Sequence, residues 1–208
     1  MNRIQFPDLD SGHDRSLKIM RNIIILGSGP GWESCPFDRE TWVVAKMLML
    51  ARPIPRVDML FSMDNVDHWL TVRRGIFTIE EFKSRVNFKK APYYSSVKTP
   101  GIDMAREYPL KEVVDFVKVP YFSNTICYML AYAMFQKVDS VDLYGIAQMG
   151  AHEYVQEKAG VEFWIGMLLG HGIQVNIKTQ SSLLQNFGSG YPYGYVRTLD
   201  ELRKDGKL

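Results

Sequence analysis

The stretch Asn22-Ile23-Ile24-Ile25-Leu26-Gly27-Ser28-Gly29-Pro30-Gly31 decides the fold class of this chain. Its first five residues form a continuous, β-branched apolar run that ends in glycines. A strand buried on both faces has this pattern, and such strands belong to parallel sheets. Glycines directly after a strand tolerate positive φ and allow another backbone or a phosphate to come close. We therefore expect a first strand at 22–26 that leads into a tight glycine turn.

Strand-like and helix-like segments alternate along the rest of the chain. The patterns predict strands at 57–62, 91–96, 141–146 and 173–177. They predict helices at 39–50, 79–86, 125–136, 153–169 and, short and polar, near 199–203. Leu110–Val117 fits either type, and 97–109 is expected to be a long loop. This alternation is typical of an α/β fold, Rossmann-like, with a mostly parallel sheet, helices on both faces and a single domain.

The composition narrows the partners and the compartment. Among the 208 residues, 46% are hydrophobic and 23% charged, and 25 basic against 23 acidic residues leave a net charge of +2. This balance argues against nucleic acid or a membrane as the main partner. Only two cysteines occur, without a Cys/His cluster, which is typical of reduced thiols and of a chain without a zinc site. We expect a soluble cytoplasmic protein, and the sequence leaves open whether it forms a homo-oligomer.

The glycine turn is the first candidate site. Its residues Gly27, Ser28, Gly29 and Pro30 follow the first strand, where backbone N–H groups at the start of a helix can meet an anion. The pattern differs from the dinucleotide fingerprint G-x-G-x-x-G, because Trp32 replaces the third glycine. This disfavours an NAD(P)-linked enzyme. A tight turn without any ligand is the structural alternative.

Two further candidates follow from the parallel sheet, whose ligands lie outside the carboxyl ends of the strands. Asp64 and Asn65 come directly after the second predicted strand and can accept hydrogen bonds from sugar hydroxyls. Ser123 and Asn124 open the buried helix, whose positive end can meet a phosphate. An Asx turn explains the first pair equally well, and helix capping the second.

The loop after the strand at 141–146 supplies the candidate catalytic groups. His152 is a candidate general base or acid, since the ordinary pKa of histidine lies near neutrality, and Glu153 follows it. The same segment offers candidate ligand contacts at Tyr144, Gly145, Gln148 and Tyr154. A solvated first helical turn, where acidic residues favour the helix dipole, is the alternative.

Three parts of the chain together resemble a known group of proteins. They are Ile-Leu-Gly-Ser-Gly-Pro-Gly at 25–31, Phe-Ser-Met-Asp at 61–64, and the unit from Ser123 to Val175. That unit contains a helix of the type Thr-x-x-Tyr-Met-Leu-Ala-Tyr-Ala, followed by Val-Asp-Leu-Tyr-Gly-Ile and Gly-His-Gly-Ile-Gln-Val. The pattern resembles Rossmann-like bacterial sialyltransferases of the lipooligosaccharide type, motility accessory factors and hydroxymethylpterin-pyrophosphokinase-like proteins. Similar small proteins occur in bacteriophage genomes.

The resemblance implies how the candidate residues would be used. In those sialyltransferases the glycine turn and the start of the later helix cradle a cytidine nucleotide. It implies a nucleotide or nucleotide-sugar ligand at the candidate residues, with Tyr144 and Tyr154 near the phosphate, His152 as the nearest base, and no required metal. The chain departs from the group at Ala147-Gln148, where relatives often carry an acid.

Two functions follow from these observations as expectations. The first is a nucleotide-dependent transferase of the glycosyltransferase type, and the alternative is a non-catalytic protein, of phage origin, that binds or sequesters a nucleotide. The expected organisation is a polar leader at 1–20, a Rossmann-like nucleotide-binding domain at 21–186 and a Gly/Tyr-rich flap with a short helix at 187–208.

Overall fold

In the part of the chain that the structure describes, seven strands form one sheet, in which all neighbouring strands run parallel. The computed structural model describes residues 22–38, 41–64, 78–148, 152–185 and 198–206. The strands are β1 (Asn22–Leu26), β2 (Trp42–Lys46), β3 (Met59–Ser62), β4 (Tyr93–Ser95), β5 (Ala105–Glu107), β6 (Ser140–Tyr144) and β7 (Gln174–Ile177), in the order β5-β4-β3-β2-β1-β6-β7. The expected Rossmann-like α/β class is confirmed.

Helices cover both faces of this sheet. They are α1 (Ile79–Lys89), α2 (Leu110–Val117), α3 (Thr125–Phe135), α4 (His152–Gly170) and α5 (Leu199–Lys204), with short 3-10 helices at Trp32–Ser34 and Met47–Ala51. The ambiguous segment 110–117 is therefore helical. The expected leader at 1–20 and most of the expected flap at 187–208 lie outside the described residues.

The inner strand β1, between β2 and β6, separates two apolar cores because its alternate residues face opposite sides of the sheet. Ile23 and Ile25 pack with α2, α3 and α4, whereas Ile24 and Leu26 pack with α1 and the 3-10 helix at 47–51. Helix α3 is buried nearly all round, and nine of its eleven residues are buried. The apolar run that decides the fold class is thus buried on both faces, as its pattern predicts.

The predicted helix at 39–50 is wrong. Residues 42–46 form β2, which pairs with β1 and β3, and a 3-10 helix follows at 47–51. The β-branched residues Val43 and Val44 are buried on opposite faces of the sheet. The buried Asp58 carboxylate fixes the strand, because it accepts hydrogen bonds from the Val43 amide (2.9 Å) and from the Arg56 guanidinium (2.6 Å). Pairing with neighbours on both sides outweighs the helix-like composition.

The predicted long loop at 97–109 is also wrong in part. Ala105–Glu107 forms the edge strand β5, which pairs with β4 through Tyr93 and Ala105. Three residues are too few for a readable alternation of apolar and polar side chains, so sequence pattern alone gives no signal there. The remaining predicted strands and helices differ from the observed ones by a few residues at their ends.

Candidate functional site

The order in which strands are added to the sheet reverses between β1 and β6, which are themselves parallel. From β1 the chain continues to β2 on one side, whereas from β6 it continues to β7 on the other side. Parallel sheets bind ligands at such a point, in the crevice outside the carboxyl ends of the strands. Leu26 and Tyr144 are the paired last residues of β1 and β6. The glycine turn and the candidate loop after β6 start directly from them.

The glycines at this point allow two backbones to come into contact. The Gly27 amide donates to Tyr144 O (2.8 Å), and the Gly29 amide donates to Gly145 O (2.7 Å). A Cβ atom on Gly27 would lie 2.5 Å from Gly145 O, and one on Gly29 would lie 2.7 Å from the same atom. Gly145 itself has a φ of 62°, in the left-handed region. Backbone packing therefore requires glycine here, whether or not a ligand binds.

Two glycines of this region have a positive φ, which glycine adopts more readily than other residues. They are Gly31, with a φ of 82°, and Gly145, with a φ of 62°. Trp32, the residue after Gly31, opens a 3-10 helix of three residues only. The glycine turn therefore leads into a short 3-10 helix and into no α-helix within 27–38, so the helix that we expected to start at this turn is absent from this range. The turn therefore contributes backbone atoms to the crevice where the strand order reverses.

The loop after β7 holds the loop after β6 in place through hydrogen bonds. The Thr179 hydroxyl accepts from the Gly145 amide (2.9 Å), and the Ser182 amide donates to Ala147 O (2.8 Å). The Ser181 hydroxyl donates to Ala147 O (3.3 Å), and the Ser182 hydroxyl to Gln148 O (2.6 Å). Sequence reasoning missed these three residues, although the polar run Thr179-Gln180-Ser181-Ser182 directly after the last predicted strand is a signal that could have found them.

The end of β3 lies at the same edge of the sheet. The Met63 amide donates to the Thr125 hydroxyl (3.4 Å), which brings the end of β3 to the start of α3. Asp64 is exposed, and its charge acts on the Tyr93 hydroxyl. Burial raises the pKa of Tyr93 to about 12, against the lowering effect of the nearby hydroxyls of Ser62, Thr99 and Ser95. Asp64 thus follows β3 at this edge of the sheet, while Asn65 lies outside the described residues.

Asn124 and Ser123 are already bound within the protein. Asn124 caps α3, since its Oδ1 accepts from the Cys127 amide (3.1 Å), and its Nδ2 donates to a Glu157 carboxylate oxygen (3.1 Å). The Ser123 hydroxyl lies 3.4 Å from both Cys127 Sγ and Glu157 O. The carboxylate of Glu157 interacts favourably with the positive end of α3, so a phosphate there would compete with it.

The remaining candidates lie after β6. Tyr144 is 9% exposed and packs with Cys35 in the core that contains Ile24 and Leu26. Burial, and to a smaller extent Asp142 and Cys35, raises the pKa of its hydroxyl, which therefore keeps its proton at neutral pH. Helix α4 begins at His152. The backbone thus places His152, Glu153 and Tyr154 in the first turn after the fastened loop, and their side chains lie outside the description.

Both thiols are expected to be unreactive in the folded protein. Burial, with a smaller contribution from Asp38, raises the pKa of Cys35 to about 12, so about 10⁻⁴ of it is thiolate at pH 8. Cys127 is 0% exposed. We expect DTNB at pH 8 to label neither residue within an hour in buffer, and both within minutes in guanidinium chloride. Rapid labelling of Cys35 in the native protein would contradict the packing after the glycine turn, and rapid labelling of Cys127 would contradict the burial of α3.

A separate groove of about 880 Å³ lies between α2 and the segment before α3. It is lined by Glu107, Tyr108, Pro109, Leu110, Lys111, Glu112, Val114, Asp115, Pro120, Phe122 and Tyr128. Its single lysine forms an ion pair with Asp115, so carboxylates dominate the lining. A phosphate is disfavoured in such a groove by like charge. The nucleotide hypothesis therefore applies to the crevice at β1 and β6 rather than to this groove.

No group of three or more His, Cys, Asp and Glu side chains within the described ranges is placed to hold a metal ion. None of the described helices combines the length and the apolar character that crossing a membrane requires.

Comparison with known proteins gives structural neighbours only. The sialyltransferase CstII from Campylobacter jejuni, in complex with the substrate analogue cytidine-5'-monophosphate, is 15% identical, with a TM-score of 0.47 over 91% of this chain and 100% of that chain. The monofunctional alpha-2,3-sialyltransferase Cst-I from the same organism is 15% identical, with a TM-score of 0.46 over 92% of this chain and 97% of that chain. No protein-family model and no curated protein sequence matches this chain.

Proposed function

We propose that the chain binds a nucleotide in the crevice between β1 and β6 and is a nucleotide-dependent transferase of the glycosyltransferase type. The observation that carries the proposal is the reversal of strand order between β1 and β6, where Gly27 and Gly29 contact Gly145. Two candidate residues from other elements lie at the same edge of the sheet: Asp64 comes after β3, and Asn124 precedes α3. A nucleotide-sugar is the proposed donor, with its hydroxyls near Asp64.

The proposed reaction needs one base and a set of donors for the leaving group. His152 or Glu153 takes the proton from an acceptor hydroxyl as its oxygen attacks the anomeric carbon of the donor sugar. The bond between that carbon and the phosphate oxygen breaks, and the nucleotide departs with the electron pair. Hydrogen-bond donors at the phosphate stabilise this charge, and Tyr144, Tyr154 and the start of α3 are the proposed donors.

A non-catalytic nucleotide-binding protein is the second candidate. One observation favours it: both donor groups expected at the start of α3 are already used inside the protein, since Asn124 binds Glu157 and Ser123 packs against α4. A phosphate would have to displace Glu157 before it could be stabilised there. This candidate predicts nucleotide binding without turnover and tolerance of substitutions at His152.

A thermal-shift panel of CMP, CMP-sugars, UDP-sugars, GDP-sugars, NAD and pterins tests the proposal. We expect one nucleotide class to raise the Tm, and Asp64→Ala to weaken its binding about tenfold, which corresponds to one hydrogen bond to a charged group. Because Asp64 is exposed, the substitution should leave the Tm of the free protein unchanged.

Asp103→Ala is the matched control for this experiment. Asp103 is also exposed, but it precedes β5 and therefore lies at the opposite, amino-terminal edge of the sheet. It should leave nucleotide affinity unchanged. Equal affinities for the wild type and the Asp64 variant would remove Asp64 from the site, and no shift with any nucleotide would contradict the proposed function. Mass spectrometry of donor and acceptor then separates the transferase from the non-catalytic candidate.

A further inference from the structure

Gln148 has a backbone conformation that is unfavourable for its residue type. Its φ is 48°, in the left-handed region that favours glycine. It lies four residues after the end of β6, at the point where the strand order reverses. Strained residues persist only where the surrounding structure holds them, and they concentrate at ligand sites.

The loop after β7 holds Gln148 in this conformation. The Ser182 hydroxyl donates to Gln148 O (2.6 Å), and the preceding carbonyl of Ala147 accepts from both the Ser182 amide (2.8 Å) and the Ser181 hydroxyl (3.3 Å). Three hydrogen bonds from residues 34 or more positions away thus fix two successive peptide units. The strain is imposed by tertiary contacts rather than by a local turn.

The side chain of Gln148 is unfavourable as well. Its Oε1 is buried and has no hydrogen-bond partner among the described residues. A buried acceptor without a donor destabilises the folded state, and each such group in a native structure calls for a physical reason. Two independent unfavourable features therefore coincide at one residue, and both lie at the crevice.

We propose that Gln148 is a ligand-recognition residue whose Oε1 accepts a hydrogen bond from the nucleoside part of the bound nucleotide. This inference rests on the proposed function. A carbonyl oxygen repels phosphate oxygens, so its partner is an N–H or O–H donor of the uncharged part of the ligand. Such a donor is an exocyclic amino group of the base or a hydroxyl of the ribose.

The first test needs no ligand. Gln148→Leu removes the buried oxygen at similar volume, and Gln148→Gly also relieves the left-handed φ. If the residue is retained for ligand recognition, both variants should raise the Tm of the free protein, by about 2–4 °C for a chain of this size. A lowered Tm in the leucine variant would show that the side chain has a structural partner and would overturn the inference. Gln180→Leu, at an exposed glutamine of the loop after β7, should leave the Tm unchanged.

The second test measures affinity by calorimetry. The nucleotide with the largest thermal shift is compared with its 2'-deoxy form and with the form whose base carries an oxygen in place of the amino group. The wild type should lose about tenfold in affinity for one of the two analogues, which identifies the donor. Gln148→Leu should bind the parent nucleotide about tenfold more weakly and should no longer distinguish it from that analogue.

The two tests separate this inference from the proposed function. Nucleotide binding that is equally tight in the wild type and the leucine variant overturns the role of Gln148 and leaves the proposed function standing. If no nucleotide binds the wild type, the proposed function fails and the nucleoside contact fails with it. Unchanged discrimination between the analogues in the leucine variant would also overturn the inference.

Discussion

Replacing Gly145 by alanine should lower the free energy of unfolding by about 4 kcal/mol, with a fall in Tm of about 8–16 °C. Two effects add up at this position. The φ of 62° costs a non-glycine residue about 1–2 kcal/mol. In addition, the new Cβ would lie 2.5 Å from Gly27 O and 2.9 Å from Trp32 Cβ, so the two loops would have to separate. Thermal unfolding followed by circular dichroism measures the effect.

Two matched variants separate strain from steric overlap. Gly172→Ala has the strain alone, since Gly172 has a φ of 76° and no atom would lie within 4 Å of its Cβ. We expect it to cost about 1 kcal/mol. Gly27→Ala has the overlap alone, with Gly145 O at 2.5 Å, and should cost about 2–3 kcal/mol. Equal Tm values for the Gly172 and Gly145 variants would contradict the close contact between the two loops.

Replacing His152 by alanine should reduce turnover by about 10²- to 10⁴-fold, which is the usual contribution of a positioned general base. Nucleotide affinity should change less than twofold, because in the proposed reaction the base contacts the acceptor and not the nucleotide. The readout is the release of free nucleotide from the donor that the thermal-shift panel identifies. The Glu153→Gln variant tests the other candidate base in the same assay.

His171→Ala is the control for the histidine substitution. His171 is exposed and follows the last residue of α4, and its Nδ1 lies 2.9 Å from Met167 O. At about 1.5 Å per residue it lies about 28 Å from His152 along the helix. Its substitution should leave turnover unchanged. Full activity in the His152 variant would show that this residue is not the base.

The buried strands show where pattern alone succeeds and where it does not. Ile23, Ile24 and Ile25 are β-branched and continuous, so β1 could be predicted as a strand of a parallel sheet. Strand β2 is buried on both faces as well, but its apolar residues continue into Met47–Ala51. The combined run has the length of a helix, and no alternation of apolar and polar residues distinguishes the two. Only pairing with β1 and β3 decides the outcome.

The sequence could predict which edge of the sheet the candidate site residues occupy, because the ends of the strands determine this. Asp64 and Gly145 follow strands whose carboxyl ends share one edge of the sheet, and the structure places both there. The contacts of Thr179 with Gly145 and of Glu157 with Asn124 join residues more than thirty positions apart. Sequence spacing carries no information about such contacts. The same holds for the backbone contact that explains Gly27 and Gly29.

The position of β1 in the sheet has a consequence for the order in which the protein is made. Its partner β6 begins at Ser140, whose hydroxyl bonds the Asn22 side chain across 118 positions of sequence. At about 5–20 residues per second, a ribosome needs about 6–24 s to synthesise that interval. During this time β1 has one unpaired edge, and the crevice has only one of its walls. A nascent chain therefore completes the pairing of β1, and with it any ligand site at this crevice, only after β6 has been synthesised.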